Sequence, residues 1–310
     1  MKRKGAPISR RKAVGLMAVA AASAAAGRGP ESPAPATIFR PIPSTGERLP
    51  SVGLGTWRTF AVGASATERE PLKGVLRRFV ALGGRVVDSS PMYGTAETVV
   101  GDLGSELGVL GSLFLATKVW TTGREAGVAE MERSLRRLRV PRLDLLQVHN
   151  LVDWRTQLRT LRAWKEAGRI RYFGITHYTT SGYGELERIM RDEPLDFVQL
   201  NYSMAEREAE RRLLPLARER GIAVLVNRPF AEGDLFQRVR GQAVPAWAGD
   251  FGAESWGQFF LKWILAHPAV TCVIPATSKV THLADNMGAA TGALPDAATR
   301  ARMTAALEGR

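Results

Sequence analysis

From about residue 37 onward the chain alternates short β-rich runs with longer amphipathic ones, and this rhythm limits the fold more than any other feature. Candidate strands are Val52–Gly55, Arg85–Asp88, Leu113–Lys118, Leu143–His149, Arg171–Thr176, Phe197–Asn201, Ile222–Val226 and Thr271–Ile274. Helical periodicity fills the gaps over Pro71–Leu82, Ala96–Leu107, Ala126–Leu138, Gln157–Ala167, Gly184–Arg191, Glu206–Arg220 and Ser255–Ala266. Gly83, Gly108, Gly168 and Gly221 stand where four of these helices should stop. Strands that alternate with helices pair in parallel, because each crossover returns the chain to the same end of the sheet. Eight such units in this length favour a (β/α)8 TIM barrel over an open sheet. Thr37–Arg40 and Glu47–Pro50 flank a Ser-Thr-Gly turn and predict a β-hairpin ahead of the barrel, and Pro295–Gly309 predicts an extra C-terminal helix. Gly53-Leu54-Gly55 runs on into Thr56, Trp57 and Arg58, so the glycine pattern of a classical dinucleotide-binding sheet is not signalled.

The net charge of +13 raises the question of a nucleic-acid partner. Residues 1–28 hold seven basic residues and no acid, which leaves +6 for the rest. Arg133, Arg136, Arg137 and Arg139 form a solvated helix face, with no basic stripe interleaved with aromatics, so nucleic-acid binding is not expected. The leader has paired arginines at Ser9-Arg10-Arg11-Lys12, a weakly apolar alanine-rich stretch, and small residues at Ala24-Ala25-Ala26-Gly27. It resembles a twin-arginine signal peptide over residues 1–28, followed by a proline-rich linker over 29–36 and the barrel over 37–310. Its apolar part is too short and too weak for a stable membrane span. Export to the periplasm by the twin-arginine machinery is therefore expected; translation starting at Met17 instead would leave the chain cytoplasmic. A lone cysteine, Cys272, lies in an apolar run and predicts a small buried side chain, not a disulfide or a cysteine metal site.

In a (β/α)8 barrel, function collects at the carboxyl ends of the strands. The second strand ends in Asp88, and its loop carries Tyr93; the third ends in Lys118 and the fourth in His149. An acid, a phenol, an ammonium and an imidazole on one rim suit carbonyl reduction. Hydride addition creates an alkoxide that needs a proton, which a tyrosine hydroxyl supplies if its pKa of about 10 is brought down. A nearby ammonium lowers that pKa, a carboxylate holds the ammonium in place, and a histidine orients the carbonyl.

The runs Val87-Asp88-Ser89-Ser90-Pro91-Met92-Tyr93-Gly94, Ala116-Thr117-Lys118-Val119-Trp120 and Leu145-Leu146-Gln147-Val148-His149 resemble the tetrad motifs of the aldo/keto reductase family, and the similarity extends from about Leu49 to Ala289. The resemblance implies an NAD(P)H-dependent reductase of aldehydes or ketones. Tyr93 would be the general acid, tuned by Lys118 and Asp88, with His149 positioning the carbonyl. It also places Trp57 and Trp120 in the substrate pocket, plain core packing being the alternative for both. Gln199 would bind the nicotinamide carboxamide. In Ile274-Pro275-Ala276-Thr277-Ser278-Lys279 and the following His282 to Asn286, Thr277 and Lys279 belong to the cofactor segment, with Asp285 and Asn286 at the adenine.

Three positions depart from the family pattern. Thr176-His177 replaces the usual Ser-Asn pair. Asn227 replaces the aromatic residue that stacks on nicotinamide, and Arg228 after it is suited to a phosphate. His282 stands where a basic residue usually grips the 2′-phosphate, with Lys279 close by. The resemblance implies NADP(H), with NAD(H) as the alternative. Little chain follows the eighth unit, so the long closing loop of some members is not expected, and a more open pocket is.

Two other functions fit parts of the pattern. A non-catalytic or redox-sensing nicotinamide-binding barrel suits an exported protein but leaves Tyr93 without a purpose. A metal-dependent hydrolase would draw on His149 and His177 with Asp88 or Asp144, yet the four histidines contain no close-spaced pair, so no metal is expected. The expected assembly is a monomer whose partner is a small carbonyl compound.

Overall fold

The computed structural model describes residues 37–308, and the expected leader and linker lie outside these residues. A short antiparallel hairpin, β1 (Phe39–Pro41) and β2 (Arg48–Pro50), comes first. Eight parallel strands follow: β3 (Leu54–Gly55), β4 (Val86–Asp88), β5 (Phe114–Val119), β6 (Leu143–His149), β7 (Ile170–His177), β8 (Phe197–Asn201), β9 (Ala223–Asn227) and β10 (Val270–Val273). They neighbour one another in chain order. Parallel bridges from Val52 to Val273 and from Gly55 to Ala276 join the last strand to the first, closing a (β/α)8 barrel. The glycine of β3 serves this seam: a Cβ on Gly55 would lie 2.8 Å from the Ile274 carbonyl oxygen, closer than such atoms can approach.

The helices are α1 (Ala66–Ala81), α2 (Ala96–Glu106), α3 (Arg124–Leu138), α4 (Trp154–Glu166), α5 (Tyr183–Asp192), α6 (Leu213–Arg220), α7 (Asp234–Arg238), α8 (Trp256–Leu265), α9 (Val280–Gly288) and α10 (Ala297–Glu308). Gly83, Gly108, Gly168 and Gly221 all take positive φ where their helices stop, as expected. Elsewhere the boundaries differ from expectation. Helix α1 begins at Ala66, not Pro71, because Ser65 caps it: its Oγ accepts from the Glu68 N–H at 3.4 Å and donates to the Glu68 carboxylate at 2.6 Å. Helix α6 begins at Leu213, not Glu206, because Ser203 Oγ accepts the N–H groups of Ala205 and Glu206 and turns the chain there. Helices α7 and α9 were not anticipated. Each is short and buries few apolar side chains, Leu235 in α7 and Leu283 and Met287 in α9, too few to show a period.

Strand alternation divides the core in two. Val86, Phe114, Ala116, Leu145, Tyr172, Phe197, Ala223, Leu225, Cys272 and Ile274 point into the barrel. Their neighbours, such as Val87, Leu115, Leu146, Phe173 and Val198, join the larger cluster under the helices. Cys272 is a free, fully buried thiol, as expected. The hairpin plugs one end of the barrel. Ile42 and Leu49 join the interior cluster, and the Tyr172 hydroxyl donates to Glu47 at 2.7 Å. Among the described residues no helix is long and apolar enough to cross a membrane.

Candidate active site

At the other end the interior turns polar, because on β4, β5, β6 and β8 a polar side chain follows the last apolar inward one. Asp88 closes β4, Lys118 lies near the end of β5 and His149 ends β6. All three are buried. Lys118 Nζ lies 2.7 Å from Asp88 Oδ2 and also donates to the Ser89 carbonyl at 2.7 Å. Tyr93 follows β4 in the turn Ser90–Tyr93, closed by a backbone bond of 3.0 Å. Its ring centroid lies 5.2 Å from Lys118 Nζ, and the His149 ring stands edge-on to it at 5.9 Å. The four residues brought together by sequence position thus line one cavity of about 530 Å³.

Burial pushes the Tyr93 phenol above its ordinary range; Lys118 pulls it back and Asp88 raises it. The expected lowering by Lys118 is present but outweighed, because the phenolate would lose its hydration. Tyr93 therefore keeps its proton. Lys118 loses hydration too, yet the Asp88 carboxylate, together with Tyr93, raises it above the usual ammonium value. His149 is driven down to about 2 by burial, then by Lys118 and His177, so its imidazole is neutral at any working pH.

Gln147 and Ser90, for which no role was expected, hold this set together with Gln199. Gln199 Nε2 donates to Asp88 Oδ2 at 3.2 Å, and Gln147 Nε2 donates to Gln199 Oε1 at 3.1 Å. Ser90 Oγ lies 3.1 Å from His149 Nδ1. These three bonds join β4 and the turn after it, β6 and β8, which are not adjacent in the sheet, and one sequence does not reveal them.

Trp57 and Trp120 both line the cavity and stay open to it, at 39% and 45% exposure, which is not core packing. Met92, Tyr178 and Phe236, comparably exposed, line it as well, with no signal in the sequence that marks them as pocket residues. Thr176, Gln199, Asn227 and Arg228 also reach the cavity. His177 does not line it. Its Nδ1 accepts the Thr179 N–H at 3.2 Å, and its ring stacks on Tyr178.

Arg228 is already engaged. It donates to the Tyr178 carbonyl at 2.9 Å and has carboxylate oxygens of Glu206 and Glu232 at 3.7 and 3.6 Å. The backbone here is strained, with Arg228, Ala231 and Glu232 all at positive φ. Beyond the cavity, Thr277 Oγ1 accepts the Lys279 N–H at 3.1 Å and shapes the start of α9, where Lys279 and His282 are exposed. Asp285 accepts from Ser255 at 2.8 Å and Gln258 at 3.0 Å, tying α9 to α8, and Asn286 beside it is buried. Asp144, a candidate partner for a metal at His149, instead binds Arg171 at 2.8 Å at the start of β6, the opposite end of the strand from His149.

The model of the Aldo/keto reductase family matches residues 51–305. The methylglyoxal reductase YeaE of Escherichia coli is 29% identical over 245 residues, 77% of this chain and 84% of that protein. An uncharacterized oxidoreductase of Schizosaccharomyces pombe is 30% identical over 255 residues, 77% of this chain and 81% of that protein. Among solved structures, an aldo/keto reductase from Klebsiella pneumoniae in complex with NADP and acetate is 26% identical with a TM-score of 0.72, covering 84% of this chain and 93% of that one. With a family match that spans nearly the whole barrel, this chain belongs to the aldo/keto reductase family.

Proposed function

We propose that this protein reduces aldehydes or ketones to alcohols with NADP(H) as hydride source, Tyr93 acting as the proton donor. The observation that carries the proposal is the packing of the protonated Tyr93 phenol against both Lys118 and His149 in one cavity. The residues fit a nicotinamide dinucleotide. Asn227 and Asp88 each line the cavity with a buried oxygen that lacks a hydrogen-bond partner, acceptors suited to an amide N–H. Exposed Lys279 and His282 at the start of α9 suit a phosphate, which a helix N-terminus also favours. Similarity to a structure holding NADP favours the phosphorylated form over NAD(H).

When bound, the nicotinamide supplies the hydride that adds to the carbonyl carbon. Tyr93 gives its hydroxyl proton to the carbonyl oxygen as that oxygen becomes an alkoxide. Lys118 then stabilises the phenolate left behind, and Asp88 keeps Lys118 charged and aimed. His149, being neutral, binds the oxygen without competing as the acid. The apolar wall of Trp57, Met92, Trp120, Tyr178 and Phe236 suits substrates whose carbonyl carries a bulky apolar or aromatic group.

Tyr93→Phe tests this. It should cost about 10²–10⁴-fold in carbonyl turnover while NADPH titration, followed by fluorescence, stays unchanged. Turnover at the parent rate would remove Tyr93 as the acid.

A further inference from the structure

We propose that Ser90 is a positioning residue that fixes the tautomer of His149, placing the ring proton on Nε2 so that it donates to the substrate oxygen. The inference rests on the carbonyl-reducing function above. Ser90 is fully buried in the turn after β4. Its Oγ accepts the Met92 N–H at 3.4 Å and lies 3.1 Å from His149 Nδ1.

A serine hydroxyl has one proton to give and two lone pairs to receive. Met92 takes one lone pair, so the remaining question is the direction of the bond to His149. If Nδ1 carried the ring proton and donated it, Oγ would receive twice, and its own proton would be left without an acceptor among the described residues. A buried donor left unpaired is costly. If Oγ donates to Nδ1, every group is satisfied. Nδ1 is then the acceptor, and the single proton of the neutral ring sits on Nε2.

The choice of tautomer matters because His149 does not ionise at working pH. With Nε2–H the ring offers a hydrogen bond to an oxygen that gains negative charge as hydride adds. The other tautomer would present a lone pair to that oxygen and repel it. Ser90 acts only through His149.

The experiment uses the full chain labelled with ¹⁵N-histidine. Long-range ring ¹H–¹⁵N spectra report which nitrogen carries the proton, and His149→Asn assigns the signal. The expected parent spectrum is a single Nε2–H tautomer for His149, unchanged between about pH 5 and 8, the range in which an ordinary histidine titrates. Ser90→Ala should give a mixture of tautomers and raise the KM for an aldehyde roughly three- to tenfold, the weight of one hydrogen bond, with NADPH affinity unchanged. Ser90→Thr, which keeps the hydroxyl, should restore the parent spectrum. A parent spectrum showing Nδ1–H overturns the proposal without any variant, even if Ser90→Ala does not fold. So does a folded Ser90→Ala with the parent tautomer and KM. Because the spectrum needs no turnover, it reads the role of Ser90 even if no carbonyl proves to be a substrate.

Discussion

Replacing Lys118 with Met separates what the buried ion pair does for stability from what it does for chemistry. Lys118 and Asp88 are 1% and 3% exposed, and their charged atoms lie 2.7 Å apart. Removing one partner from such a pair leaves the other charge buried without compensation, at a cost of about 3–5 kcal/mol. Gln199 still donates to Asp88 Oδ2 at 3.2 Å, which points to the lower end of that range. For a chain of this size each kcal/mol moves the melting temperature by about 2–4 °C, so Lys118→Met should melt roughly 6–20 °C below the parent. Asp88→Asn added to Lys118→Met removes the stranded charge. The double variant should recover most of the loss, giving a coupling of about 2 kcal/mol or more. Activity should behave differently. Without Lys118 both remaining influences on Tyr93, burial and Asp88, push its proton loss further out of reach. Both variants should therefore be slower by about 10²-fold or more. The assay is urea unfolding of all three proteins beside aldehyde turnover with NADPH. A single variant within about 1 kcal/mol of the parent, or a double variant no more stable than the single, would refute the ion-pair argument. Recovery of stability together with rate would refute the tuning of Tyr93.

The remaining predictions concern pH, a loop and the cofactor. His267 is held down to about 4, chiefly by burial, and its Nδ1 accepts the Ala269 N–H at 3.2 Å. Its folded pKa lies below the unfolded one, so as pH falls the unfolded chain takes the proton first. This contribution is full above about 6.5 and drains away toward about 4. His267→Asn, which keeps an acceptor for Ala269, should flatten urea-unfolding free energy across that window by roughly 1–3 kcal/mol; a slope equal to the parent's would refute the assignment. Arg228 is occupied by Tyr178, Glu206 and Glu232. Arg228→Ala should therefore change NADPH affinity by less than about threefold, or about 0.7 kcal/mol, and a tenfold loss would show that Arg228 leaves its partners to grip a phosphate. Lys279→Ala should weaken NADPH roughly three- to tenfold, the weight of one exposed charge-assisted bond, and NADH much less. Equal losses for the two cofactors in fluorescence titration would place the 2′-phosphate elsewhere.

How far the sequence foretells this site depends on what kind of fact each residue represents. Asp88, Lys118 and His149 were legible because strand alternation is local and the carboxyl end of a strand is a place the pattern marks. Tyr93 lies on a turn with no period, and its place in the loop after a strand that ends in Asp88 singled it out before the family resemblance did. Ser90 and Gln147 were not legible, since each acts through a bond to a distant strand. Phe236 and the Arg228 clasp depend on a loop with three non-glycine residues at positive φ, a conformation that nothing in Arg228-Pro229-Phe230-Ala231-Glu232 announces. His177 sits at the end of β7, where position suggested a cofactor donor, but the turn at Thr179 claims its ring. The net direction of the Tyr93 shift was likewise out of reach. Sequence names the charged neighbours of a phenol but not how deeply it is buried, and here burial outweighs them.

The same alternation explains why a buried ammonium can persist in a barrel interior at all. Reading inward positions along the strands, Val86 precedes Asp88, Ala116 precedes Lys118, Leu145 precedes Gln147, and Phe197 precedes Gln199. On β4, β5, β6 and β8 an apolar layer thus gives way to polar residues, staggered by the register, so that Lys118 pairs with Gln147 while Asp88 pairs with Ala116. The apolar layer keeps water from the floor of the site, which strengthens the attraction between Lys118 and Asp88 and makes the Tyr93 phenolate costly. The hairpin at the far end completes that exclusion with Ile42 and Leu49. A slip of one residue in β5 would turn Thr117 inward and Lys118 toward the helices, trading the ammonium for a hydroxyl at the catalytic level. Register is held against such a slip by the apolar members of each strand, because Phe114 and Ala116 would have to leave the interior together with Lys118. The packing that stabilises the barrel and the placement that makes the site are therefore one constraint, imposed at every second residue of the same strands.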